Sequence, residues 1–232
     1  FRRVLFRSDN VLEYAVIKNA YQGIISDQPT VNAQPIVTLN QCIIDNCYDA
    51  GILGYRGSLS ASNCLISNCG KNIVLVYGGN YTFNHCTSVA YSNPYITHKD
   101  PVLYVSDFVK TGNTILTSPL NASFKNCIFW GDYGTVENEV ATGKQGSGTY
   151  AVQFDNCLWK VKTAPSNTTS SQIIANAYPL FDSVNASKRF FDFRLREASP
   201  AVNKGATTSL PFDLDGRPRA VGIPDLGCYE RQ

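Results

Sequence analysis

Residues 121–130 and 151–160 read NASFKNCIFW and AVQFDNCLWK. The same phrase stands three more times upstream, as IVTLNQCIID at 36–45, SLSASNCLIS at 58–67 and NYTFNHCTSV at 80–89. Its central cysteine falls at Cys42, Cys64, Cys86, Cys127 and Cys157, with spacings of 22, 22, 41 and 30. One unit of about 22 residues, extended by insertions, accounts for all four spacings. A fainter copy, NVLEYA, ends at Ala15, with alanine where the cysteine would stand.

Within each phrase the third residue before the cysteine is Leu39, Ala61, Phe83, Phe124 or Phe154, and the fifth is Val37, Leu59, Tyr81, Ala122 or Val152. Between them stand Thr38, Ser60, Thr82, Ser123 and Gln153, then Asn40, Ser62, Asn84, Lys125 and Asp155. Strict alternation of this kind is a strand with one buried face. Its recurrence at one phase of a fixed period predicts strands stacked directly above one another, with Phe83, Phe124 and Phe154 in one inward column. An antiparallel sandwich would not place the same residue class at the same phase.

The phrase continues past the cysteine into a second short strand (CIIDN, CLISN, CTSVA, CIFWG, CLWKV), after a turn of constant length. The residue at that turn is Tyr14, Gln41, Asn63, His85, Asn126 or Asn156. Asparagine tolerates left-handed backbone angles, so Asn63, Asn126 and Asn156 are expected to hold a sharp corner and to stack as a ladder of side chains. A third strand follows at 23–25, 51–55, 73–77 and 102–106. Three strands per coil predict an all-β, right-handed parallel β-helix of triangular section.

Residues 9–175 are assigned to the coils, with long insertions at 91–101 and 107–120, and residues 176–232 to a tail that packs on or caps them. The first eight residues, FRRVLFRS, fit no pattern in the rest and resemble a translated sequencing adapter. The chain holds no Met, and an N-terminal segment carrying any signal sequence is expected to be missing. An open first coil would then favour end-to-end association. Charge is sparse at 16% and the formal net charge is +2; without Arg2, Arg3 and Arg7 the balance is 17 bases against 18 acids. Nothing here predicts a nucleic-acid partner, and no apolar run reaches the roughly 18 residues of a membrane span.

These phrases resemble the pectate-lyase-like β-helix superfamily, in particular the repeat-containing surface proteins of bacteria. The tail phrases YPLF at 178–181, FDFRL at 191–195, SPAVNKG at 199–205, DLDGRPR at 213–219 and DLGCYE at 225–230 resemble the ending such proteins carry. The resemblance implies an extracellular or cell-surface protein that binds a polysaccharide or surface glycan. It equally admits a fragment of a polysaccharide lyase acting on uronate-containing glycans, or a structural and adhesive spacer. If the chain is an enzyme, lyase chemistry is expected before glycoside hydrolysis, which requires a pair of carboxylates.

Five cysteines at one inward phase predict a buried ladder of thiols rather than disulfides, since stacked Cβ atoms lie about 4.8 Å apart and a relaxed bridge prefers roughly 3.5–4.5 Å. Cys47 and Cys69 form a second short stack, and their spacing does not suit zinc. Asp213-Leu-Asp-Gly216 matches the opening of a calcium loop, so Ca2+ is weighed, but the rest of that pattern is absent and a plain turn is expected. Four triplets, at Asn80, Asn121, Asn167 and Asn185, fit the glycosylation acceptor rule and carry little weight in a chain so rich in Asn, Ser and Thr.

Insertions on a rigid scaffold are where function concentrates. The segments 91–101 and 107–120 flank one third strand and are expected to wall its sheet. On that sheet Tyr55 and Tyr77, 22 apart, should stack outward with Arg56 beside them, a surface suited to an acidic sugar polymer. His98, Asp100, Asp107 and Lys110 are the ionisable candidates within the walls. For lyase chemistry one of them, or Tyr or Arg, would act as base while a cation neutralises the uronate.

Overall fold

The structure is a computed structural model and describes residues 10–27, 35–219 and 221–231. The adapter-like segment 1–8 lies outside them. The chain forms a parallel β-helix. There is no α-helix among the described residues.

The repeated phrase builds the first sheet, from Asn10–Glu13, Val37–Asn40, Ala50–Ser62, Lys71–Asn84, Leu120–Lys125, Tyr150–Asp155 and Thr169–Ser171 in spatial order. Register is carried through without slippage: Leu12 lies over Leu39, Leu39 over Ala61, Ala61 over Phe83, Phe83 over Phe124 and Phe124 over Phe154. The phenylalanines form the expected column, with ring centroids 5.3 Å and then 4.8 Å apart at near-parallel angles. All three are fully buried.

The second sheet joins Val16–Lys18, Ile43–Asp45, Leu65–Ser67, Thr87–Tyr91, Ile128–Asp132, Leu158–Trp159 and Ile174–Ala175. From Leu65–Ser67 to Leu158–Trp159 it is buried on both faces. Ile44, Ile66, Phe129 and Trp159 point into the coil, while Leu65, Val89, Ile128, Trp130 and Leu158 point out against Phe181, Phe193, Leu195, Leu226 and Cys228 of the tail. Two-sided burial explains why these strands read as apolar runs with no alternation.

The third sheet runs through Gln22–Ser26, the first halves of Ala50–Ser62 and Lys71–Asn84, then Leu103–Ser106 and Val140–Gly143. In two coils it passes into the first sheet without a break. The bend is made by positive φ at Arg56 in one coil and at Tyr77 and Gly78 in the next.

At the first corner Tyr14, Gln41, Asn63, His85, Asn126 and Asn156 all hold φ between 50° and 56°, the left-handed region that asparagine tolerates best. Their side chains do not form the expected ladder. Asn63 and Asn156 donate instead to the carbonyls of Phe212 and Lys204, and Gln41 donates to Asp213 O. Asn126 donates to Ala206 O and accepts from Ala206 N; it alone also reaches the neighbouring coil, with Nδ2 2.8 Å from His85 Nε2. The tail brings unpaired main-chain groups to a corner whose own backbone is already paired coil to coil, and the amides turn outward to meet them.

Residues 204–213 thus run back along the corner across five coils, and residues 221–231 return beneath them. Arg219, 3% exposed, donates to Glu230 at 2.9 Å, to Asn63 Oδ1 at 3.0 Å and to the Gly227 carbonyl at 3.0 Å. Asp213 accepts from the main chain of Asp215, Arg217 and Glu230, so its segment is a closed turn whose carboxylate is fully engaged. Burial pushes Glu230 up to about 7 and holds Arg219 below its usual range, each opposed by the other's charge.

All eight cysteines are buried free thiols. Cys64, Cys86, Cys127 and Cys157 each place Sγ near a carbonyl of the preceding coil, 3.5–3.7 Å away. Burial raises the pKa of Cys64, Cys86 and Cys127 well above the ordinary thiol value, which keeps them protonated and unreactive.

His85 gives the fold a pH dependence. Burial, and next the Arg219 guanidinium, push it down to about 3. A histidine with a depressed folded pKa stabilises the fold fully above its unfolded pKa near 6.5, and that stability drains away as pH falls towards 3. The whole swing is on the order of 5 kcal/mol. Asparagine is the residue at this corner in three other coils, so His85→Asn should fold and should flatten the acid limb. Denaturant melts of both proteins at pH 7, 5 and 3.5 test this, and parallel curves would refute it.

Candidate functional site

The outward face of the first sheet is an open groove of about 640 Å³. Its floor follows from the same alternation that builds the core. Every second residue faces out, so in-register pairing lays mostly small hydroxyl and amide side chains in columns across the coils, with Ala151 as the exception. One column reads Ser60, Thr82, Ser123, Gln153 and Thr169; the column beside it reads Ser58, Asn80, Asn121 and Ala151. Asn121 donates to Asn80 at 3.0 Å. Pro35 and Asn167 also line the groove, as does Tyr150, whose hydroxyl burial pushes up to about 12.

Among the described residues, no side chain lining this groove is charged. The ionisable residues of the sheet, Glu13, Lys125 and Asp155, stand one column further along, towards the tail. The groove therefore offers hydroxyl and amide hydrogen bonds on a rigid lattice with rungs about 4.8 Å apart. Its floor has no acid or base in place for proton transfer.

Tyr55, Arg56 and Tyr77 lie together at the bend where the third sheet enters this groove. The two rings are 5.4 Å apart and tilted by 57°, and the Arg56 guanidinium lies 5.7 Å over the Tyr77 ring. Tyr55 is 37% exposed. The bend is braced from within by the buried hydroxyl of Tyr81, which accepts from Gly57 N and donates to Gly78 O.

The ionisable candidates are not brought together, because the two insertions sit at opposite ends of the third-sheet strands. Segment 107–120 forms an antiparallel hairpin, Phe108–Thr111 with Thr114–Thr117, at the bend into the first sheet; Lys110 is exposed on it. Asp107 at its base is buried and accepts from the main chain of Gln145 and Gly146, which makes it a loop brace. Segment 91–101 lies at the second corner. There His98, 3% exposed, lies 2.8 Å from the fully buried Glu139, whose other oxygen accepts from Val102 N. Asp100 lines a different cleft, beside Tyr48 and Lys71. Among the described residues no group of three or more His, Cys, Asp or Glu side chains is placed to hold a metal ion.

Glu139 and the groove columns are not marked by the sequence pattern. Glu139 stands outside every repeat, and nothing local pairs it with a histidine 41 residues earlier. The groove residues look like any solvent-facing strand positions; only their column order, readable from the repeat phase, could have marked them.

Three stacked sheets with a tail strapped across one corner define a parallel β-helix. No protein family description matches the chain, and no curated protein is similar to it in sequence. Among solved structures it is similar to the crystal structure of pectate lyase Pel9A, with a TM-score of 0.54 and 15% identity over 97% of this chain and 60% of that one. At that identity the likeness establishes the fold alone, and the chain spans about 60% of the other protein's length. No helix of the described residues is long and apolar enough to cross a membrane.

Proposed function

We propose that the chain binds a polysaccharide along the outer face of its first sheet, outside the cell. The observation that carries this reading is the groove itself: hydroxyl and amide side chains in aligned columns, with Tyr55 and Arg56 exposed and Tyr77 half-buried at the bend beside it. Such a surface matches a polymer of hydroxyl-bearing rings better than a compact ligand. The fold shared with a protein described as a pectate lyase supports the ligand class. Lyase activity is a second reading with that description as its support, and the scattered placement of His98, Asp100, Asp107 and Lys110 ranks it below binding.

The test is migration of the protein through gels cast with pectin, alginate, xylan or β-glucan, with absorbance of unsaturated uronates followed in parallel. Retardation in at least one gel is expected, without absorbance change. Thr82→Trp, which fills the groove from an exposed position, should abolish it, and Tyr55→Ala with Tyr77→Ala should weaken it. Retardation unmoved by the tryptophan would remove the groove, and growing absorbance would replace binding with lyase chemistry.

A further inference from the structure

The second corner carries aromatic residues that the groove does not use. Tyr21 and Tyr48 stack with centroids 5.8 Å apart at 30°, and both are more than 60% exposed. Backbone pairing sets which residue takes the same place in the next coil. Tyr48 N donates to Ala20 O at 2.8 Å and Gly70 N donates to Cys47 O at 3.0 Å, so Gly70 occupies in its coil the place of Tyr48 in the coil before. One ring of the series is missing there. A Cβ at Gly70 would run into the Tyr48 carbonyl, so the chain cannot fill the gap from that position.

Beyond the gap, the 91–101 insertion contributes Tyr95, 71% exposed, with the Arg189 guanidinium 5.2 Å from its ring centre. Tyr21, Tyr48, Gly70 and Tyr95 line a cleft of about 290 Å³. Its rim holds Asp49, Lys71, Lys99 and Asp100. Asp49 accepts from Gln22 at 2.7 Å and pairs with Lys71 at 3.5 Å; Lys99 and Asp100 have no ion-pair partner among the described residues. Three tyrosines exposed around one gap contribute little to folding, since the gain from aromatic area comes with burial. Two acids and two bases leave the rim with no net charge.

We propose that this cleft is a sugar subsite that takes one pyranose ring of a neutral glycan into the missing place. The C–H face of the sugar rests on Tyr48, and its hydroxyls meet the alternating donors and acceptors of the rim. A uronate would give up the hydration of its carboxylate to a rim whose two acids and two bases balance and offer it no net attraction, which disfavours it. The cleft stands at the other end of the third-sheet strands from the first-sheet groove, and its assignment does not depend on the groove.

Calorimetric titration of the whole chain with cellotetraose, xylotetraose, mannotetraose and tetragalacturonate tests the proposal. At least one neutral tetrasaccharide should bind, at least tenfold more tightly than tetragalacturonate. Tyr48→Ala and Tyr95→Ala should each weaken that binding at least tenfold without moving the melting temperature, because both side chains are on the surface. If either variant failed to fold, Lys99→Trp would close the cleft from its exposed rim with the same expected loss. Thr82→Trp should leave this binding intact, so that loss of the groove and loss of the cleft are separately visible. Absence of any neutral binding, equal affinity for tetragalacturonate, or binding that survives the cleft variants would overturn it.

Discussion

Phe124→Ala is expected to lower the unfolding free energy by about 3–5 kcal/mol. Phe124 is the centre of the aromatic column, with Phe83 and Phe154 stacked on its two faces and Phe129 packed edge-on at 5.7 Å. Truncation removes a fully buried ring and leaves a cavity whose walls are pinned by backbone pairing to the coils on either side, so little collapse can relieve it. It also removes three ring contacts, each worth about 0.5–1.5 kcal/mol beyond area. Phe124→Leu, closer in volume, should lose less than half as much. Urea unfolding read by tryptophan fluorescence measures both, and a loss below about 1.5 kcal/mol for the alanine would mean that the column is looser than its register implies.

Arg219→Ala is expected to be as damaging through a different cause. The guanidinium has three buried partners: Glu230, Asn63 Oδ1 and the Gly227 carbonyl. Removing one member of a buried ion pair typically loses about 3–5 kcal/mol, because the remaining charge is stranded. Here the loss should appear first as release of residues 204–231 from the corner, seen as new protease cleavage in the tail while the coils stay intact. Arg219→Ala with Glu230→Gln should recover part of the loss by removing the stranded carboxylate. A tail that stays protease-resistant in Arg219→Ala would show that the outer apolar layer on the second sheet holds it unaided.

The coil was legible because its register is a property of sequence phase. Leu39, Ala61, Phe83, Phe124 and Phe154 fall at one offset from a cysteine, and each lies over the next. The corner residues were legible as turns for the same reason. Their side-chain partners were not, because those partners lie in the tail, up to 172 residues away in the Gln41 to Asp213 contact, and have no period. The nearness of Tyr55 and Tyr77 was suggested by their 22-residue spacing, but the register sets Tyr55 over Val76, and it is the shift at the bend that leaves the two rings side by side and tilted. Tyr21 and Tyr48 keep the 27-residue spacing of Tyr14 and Gln41, but their significance depends on Gly70 and Tyr95, one an absence of a side chain and the other in an insertion outside the repeat. The scattering of His98, Asp100, Asp107 and Lys110 could not be foreseen, since loops of 11 and 14 residues can fold back in many directions and only the pairing of Phe108–Thr111 with Thr114–Thr117 and the buried contact with Glu139 fix them.

A stack of coils in which each touches only its neighbours can fray from an end, one layer at a time. The segment 204–213 changes that, because it is fastened to coils as far apart as those of Gln41 and Asn156. Pulled along its axis, such a body resists like a laminate with a seam sewn through its plies: no ply can slide away until stitches at several levels have given. Its lifetime under load would then be set by the rate at which the seam opens, so the endurance of the coils comes from a segment that belongs to none of them.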